Sequence, residues 1–184
     1  MKKVILLGDS IRQIGYGAEV ERRLTADGIA LWQPDDNCRF AQYTLRMLQD
    51  WQGQLPDTDV VHWNNGLWDV CHYFGDGTLT PKAVYVDTML RIARILQRHA
   101  KTVIFATTTP VRKAHSQIRD EDIVAFNAAL VPQLEKMDVV VNDLYTPVSR
   151  DIPRYIREDD NIHLSEDGIA LCADLVERAI RKQL

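Results

Sequence analysis

The feature that most constrains the fold is an alternation of two hydrophobic periods along the chain. Five short apolar runs rich in β-branched residues (Lys3 to Leu7, Ile29 to Trp32, Asp59 to Trp63, Thr102 to Thr107 and Asp138 to Val141) are separated by stretches of helical spacing. Continuous apolar runs of this length suit strands covered on both faces, as in a parallel sheet. The intervening stretches carry Val20 and Leu24; Tyr43, Leu45, Leu48 and Trp51; Met89, Ile92, Ala93 and Leu96; and Ile123, Phe126 and Leu130. The last runs through Ile169, Cys172, Leu175, Val176, Ala179 and Ile180. Strands that alternate with helices give βαβ crossovers and a three-layer α/β/α sandwich. Thr80-Pro81 predicts an N-cap and a first-turn proline for the third helix, and Ser165 predicts an N-cap for the last. No repeat, low-complexity tract or linker divides the chain, so residues 1–184 read as a single domain.

Several functional classes are disfavoured. A net charge of -4, with Lys and Arg dispersed, argues against a nucleic-acid partner. The apolar run after Lys3 stops at Gly8-Asp9, short of a secretory leader, and nothing later approaches a membrane span. Cys38, Cys71 and Cys172 are odd in number and unpaired in spacing, which suits a reducing compartment, so the expected location is cytoplasmic. Gly15-Tyr16-Gly17 lacks the third glycine of a dinucleotide fingerprint and no Walker A pattern is present, so no cofactor is expected. His62, His72, His99 and His115 form no ligand spacing with the cysteines or carboxylates, so no metal site is expected either.

In parallel sheets the ligand site lies beyond the carboxyl ends of the strands. There the sequence places Gly8-Asp9-Ser10 after the first strand and Asn64-Asn65-Gly66 after the third, with Asp160-Asn161-Ile162-His163 just before the last helix. A serine becomes a nucleophile when a base takes its proton, and the base needs a partner to fix its tautomer. Asp160 and His163, in one loop, can be that partner and base. An amide side chain near the serine can complete an oxyanion hole with backbone N–H groups.

These motifs resemble the SGNH (GDSL-like) hydrolase family. Gly8-Asp9-Ser10-Ile11 is similar to its first block, Gly-Asp-Ser-Leu, and Asp160-x-x-His163 with Leu164-Ser165 is similar to its last. Thr107-Thr108-Thr109-Pro110 and Asn142-Asp143-Leu144-Tyr145 resemble the family's other strand-end loops. The resemblance implies a flavodoxin-like sheet of five parallel strands in the order 2-1-3-4-5. It also implies Ser10 as nucleophile, His163 as general base and then acid, and Asp160 as its orienter. Two blocks depart from the pattern. The third, usually Gly-x-Asn-Asp, reads His62-Trp63-Asn64-Asn65, so the oxyanion donor beside the Ser10 N–H is Asn64 or, with a one-residue shift, Asn65. The second block's glycine is missing from Asp35 to Gln42, which leaves its backbone donor unassigned.

Asp9, Arg39 and Trp68 are candidate substrate contacts, while Trp63, Tyr73 and Phe74 read mainly as aromatic core and Asp159 as a solvated loop charge. The expected activity is hydrolysis of a small acyl ester, foremost an acetyl group on a carbohydrate. A lysophospholipid or thioester substrate is the enzymatic alternative. A non-catalytic flavodoxin-like binding domain is the rival from another class.

Overall fold

The computed structural model describes all 184 residues, Met1–Leu184. Strands β1 (Lys3–Leu7), β2 (Ala30–Trp32), β3 (Thr58–Trp63), β4 (Ala100–Ala106) and β5 (Val140–Asn142) form one parallel sheet in the order β2-β1-β3-β4-β5. This is the expected strand order. The helices are α1 (Gly17–Ala26), α2 (Ala41–Asp50), α3 (Lys82–Gln97), α4 (Asp120–Glu135), α5 (Tyr145–Ser149), α6 (Ile152–Tyr155) and α7 (Glu166–Arg181). Helix α1 packs against α7 in one layer, and α2, α3 and α4 pack side by side in the other. Every residue of β3 is buried, whereas the edge strand β2 is half-buried throughout. Leu7 lies level with Trp63, and Trp63 with Phe105, whose ring it meets edge-on at 5.1 Å. The ends of β1, β3 and β4 therefore share one rim.

Two strands start later than the sequence predicts, for one reason. Helix α1 ends with Gly28 at φ +75°, and the Ile29 N–H donates back to Leu24 O at 3.2 Å. Helix α4 ends alike, with Asp138 at φ +59° and the Val139 N–H on Leu134 O at 3.1 Å. Both are Schellman-type caps, in which the first apolar residue after the helix closes the cap instead of opening the strand. Asp138 adopts a backbone shape normally left to glycine or asparagine. The expectation for Thr80 is also corrected. The N-cap of α3 is Pro81, and Thr80 is buried with its N–H on Asp69 O at 3.0 Å. Ser165 does cap α7, accepting from the Gly168 N–H at 3.1 Å, a contact worth about 1 kcal/mol. Among the aromatics, Trp63 is core, but Tyr73 and Phe74 stand exposed on a turn that continues through Gly75 and Gly77, both at positive φ. No helix is long and apolar enough to cross a membrane.

His62 sits inside β3 with no exposed surface. Its Nε2 faces Asn142 Nδ2 at 3.1 Å, and an amide N–H only donates, so the ring is neutral with its proton on Nδ1. Burial pushes this imidazole down to about 3. As pH falls, the unfolded chain protonates here in the ordinary histidine range, while the folded chain resists until about pH 3. Stability is therefore lost between those limits on acidification. Urea midpoints measured from about pH 7 down to 4 should fall more steeply for the native chain than for His62→Gln. Parallel curves would refute this account.

Candidate active site

The first strand-end turn places Ser10 through the side chain before it. Asp9 Oδ1 accepts the Ile11 N–H at 3.0 Å, and Asp9 O accepts those of Arg12 and Gln13 at 3.1 and 3.0 Å. The chain leaves this turn as one wide π-helical turn over Arg12–Tyr16, broken at Gly15 (φ -111°, ψ -115°), before α1 begins. Ser10 itself stays half-buried on the rim.

The second contributor is the loop between α6 and α7. Asp160 Oδ1 accepts the N–H groups of Ile162 and His163, both at 3.0 Å, and its Oδ2 faces His163 Nδ1 at 2.9 Å. Asn161, at φ +65°, turns the loop tightly enough for this. Burial raises the Asp160 carboxyl, but hydrogen bonds from the N–H groups of His163 and Ile162 and from the ring prevail and bring it down to about 2. A carboxylate so held can only accept, so Nδ1 carries the proton and Nε2 is left as the acceptor. Ser10 Oγ lies 2.9 Å from that Nε2. The structure thus brings Ser10, His163 and Asp160 into one hydrogen-bonded line. Asp159 is separate, forming a forked pair with Arg157 at the surface.

The third contributor is the turn after β3, where the two adjacent amides have different surroundings. Asn65 has no exposed surface; its Oδ1 accepts from Trp63 Nε1 at 2.9 Å and Thr44 Oγ1 at 3.0 Å, and its Nδ2 donates to Arg39 O at 2.8 Å. Asn64 points the other way, toward the serine turn. Its Nδ2 donates to Asp9 Oδ1 at 2.8 Å and its Oδ1 accepts from Tyr16 Oη at 2.8 Å. The approach is so close that a Cβ on Gly8 would lie 2.1 Å from Asn64 Oδ1, which explains the glycine there. Gly66, at φ +150°, plays the same part toward Thr108, since a Cβ on it would lie 2.1 Å from Thr108 Oγ1.

The loop after β2 closes the site. The Gly8 N–H donates to Cys38 Sγ at 3.1 Å, and the Cys38 N–H returns to Gly8 O at 3.0 Å. Arg39 has a left-handed backbone (φ +48°) and its N–H donates to Asn37 Oδ1 at 2.8 Å. This is the one residue between Asp35 and Gln42 in the conformation for which glycine is normally used. The Arg39 guanidinium lies 4.5 Å from the centre of the Tyr43 ring and 3.7 Å from Asp36. Trp68 is half-buried in the turn following Gly66. Asp9 is 1% exposed and faces inward, onto Asn64 and the Ile11 N–H. Burial raises its carboxyl to about 6, against hydrogen bonds from Ile11 and Asn64 and the charge of Arg12 that lower it.

Two residues of this site were not singled out in the sequence. Tyr16 is one, and Arg12 is the other. The guanidinium of Arg12 is buried without a carboxylate partner, donating to Pro34 O at 2.8 Å, Asp36 O at 2.7 Å, Gly8 O at 3.3 Å and Gln33 Oε1 at 3.1 Å. It ties the loop after β2 to the serine turn. Beside the His163 loop, where the Arg112 N–H reaches Asn161 O at 2.9 Å, lies a cavity of about 490 Å³. Arg112, Lys113, His115, Arg119, Asp120 and Glu121 supply most of its wall. No group of three or more His, Cys, Asp or Glu side chains is placed to hold a metal ion.

No protein-family profile matches the chain, and no curated protein is similar to it in sequence. Solved structures do match it closely. An acetyl xylan esterase, AlAXEase, superposes with a TM-score of 0.78 at 24% identity, over 97% of this chain and 99% of the other. Axe2, an acetylxylan esterase from Geobacillus stearothermophilus, gives 0.80 at 16% identity, over 97% and 94%. A GDSL-like lipase from Bacteroides thetaiotaomicron gives 0.73 at 18%, over 100% and 89%. At such identities the likeness is one of architecture: the chain shares the fold of these acetyl xylan esterases and of the GDSL-like lipase.

Proposed function

We propose that the chain is a serine esterase that removes a short acyl group, acetyl foremost, from a carbohydrate hydroxyl. The observation that carries this reading is the line from Asp160 Oδ2 through His163 to Ser10 Oγ, with 2.9 Å at each step. Ser10 Oγ attacks the ester carbonyl while His163 Nε2 takes its proton, and the ionised Asp160 stabilises the imidazolium. The tetrahedral oxyanion is held by the Ser10 N–H and the second Nδ2 hydrogen of Asn64. Collapse passes the proton from His163 to the departing alcohol and leaves an acyl-Ser10 ester. Water then enters by the same route in reverse, with His163 again as base. Because the N–H groups of Cys38 and Arg39 are already engaged, Asn64 bears more of the oxyanion than an added backbone donor would leave to it. The carbohydrate part of the reading draws on the charged side chains of Arg112, Lys113, His115 and Arg119 next to the Asn161 turn, which suit a polyhydroxylated alcohol better than a lipid. It is also supported by the two matched structures that are acetyl xylan esterases.

Ser10→Ala and His163→Ala should each fold normally and lower hydrolysis of an aryl acetate by about 10⁴-fold or more. A fluorophosphonate should label Ser10 in the native chain and nothing in Ser10→Ala. Unlabelled native protein would favour a binding domain. Across esters of increasing acyl length, kcat/KM should be greatest for acetyl and higher on acetylated oligosaccharides than on lysophospholipids. The reverse order would assign the site to lipids.

Asn64→Ala should lower kcat by roughly 10²–10³-fold with little change in KM. Asn65→Ala removes four hydrogen bonds, to Trp63, Thr44, Cys38 and Arg39, and should act on stability instead, lowering the melting temperature while the folded fraction keeps most of its kcat. A severe kcat loss in Asn65→Ala, with Asn64→Ala silent, would exchange the two roles.

A further inference from the structure

Resting on the esterase reading, we propose that Tyr16 is a positioning residue: with Asp9 it clamps the Asn64 amide in the one orientation that presents N–H to the oxyanion. A primary amide has two ends of similar shape, and only the nitrogen end can stabilise negative charge. Two neighbours decide which way this one points. Asp9 Oδ1, at 2.8 Å from Nδ2, favours a donor, and Tyr16 Oη, at 2.8 Å from Oδ1, supplies a hydrogen. In the flipped state the two carbonyl-type oxygens of Asn64 and Asp9 would meet face to face.

Tyr16 is placed for this task by an unusual stretch of chain. It ends the wide turn that follows the serine, just after the non-helical Gly15. Two residues earlier, Ile14 is 58% exposed, while Tyr16 has no exposed surface. The ring meets His62 edge-on at a centroid distance of 5.9 Å, which fixes its plane. Burial raises the phenol well above its ordinary value, so the hydroxyl keeps its hydrogen across the working range of pH. The Tyr16 hydroxyl donates to Asn64 and not to the serine. Its effect on the reaction is transmitted through Asn64.

A double-mutant cycle tests the proposal. Tyr16→Phe keeps the ring and removes the hydrogen bond, and kcat on an aryl acetate should fall roughly 10-fold with KM little changed, a part of the 10²–10³ loss at Asn64. In an Asn64→Ala background the same change should have no further effect on kcat. Losses that multiply, or native kcat in Tyr16→Phe, would overturn the clamp while leaving the oxyanion role of Asn64 standing. Native kcat in Asn64→Ala would instead bring down the oxyanion assignment, and the clamp with it. A second measurement needs no variant. In the native chain the Asn64 side-chain amide protons should exchange with solvent far more slowly than those of exposed asparagines, and exchange at the exposed rate would refute the clamp even if Tyr16→Phe did not fold.

Discussion

At the carboxyl ends of β1 and β3 the backbone of Gly8 and the amide of Asn64 are packed within contact distance, and a single methyl group would separate them. That contact follows from the strand order. With β1 between β2 and β3, the chain leaves β1 at the point where the sheet's winding reverses, and a crevice opens there. Asp9 and Ser10 sit in that crevice because Gly8 lets the turn descend onto the neighbouring strand. Asp9, Asn64 and Tyr16 then form a buried polar cluster under the serine, while Arg12 ties the loop after β2 across the top. Such a cluster is favourable only when its members satisfy one another, since an unpaired buried polar group costs about 1–3 kcal/mol. The fit is not complete: Asp9 Oδ2 and Arg12 Nε have no partner within the chain. A carboxyl pushed up to about 6 is the electrostatic trace of that burial.

The sheet was legible because its strands are apolar on both faces, and the spacing of Ile169 through Ile180 matches the buried face of α7 in the same way. What the apolar pattern could not show was where helix caps end and strands begin. Ile29 and Asp138 look like strand residues, yet both lie in the caps of the preceding helices. Helices α5 and α6, of five and four residues, are too short to carry a period.

In the candidate site, the loop holding Asp160 and His163 was readable because its chemistry is local, three residues apart in one turn. The choice between Asn64 and Asn65 was not, since the two are chemically identical and differ only in what each one faces. Tyr16 and Arg12 were invisible for a related reason. Tyr16 meets an amide 48 residues away, and Arg12 is held by backbone carbonyls, which carry no signature in any sequence. The burial of Asp9 leaves no mark in the sequence, because an aspartate after a strand is, in isolation, an ordinary turn residue.

His163 and Ser10 are separated by 153 residues, and the hydrogen bond between them joins the first strand-end turn to the last loop of the sandwich. The orienting contacts within that loop can form early, since they span only two or three residues. The bond to the serine cannot form until α7 has docked beside α1. During synthesis, therefore, Ser10 emerges well before His163, and the whole sheet is laid down between them. The line from Ser10 through His163 to Asp160 is therefore completed only together with the closed core.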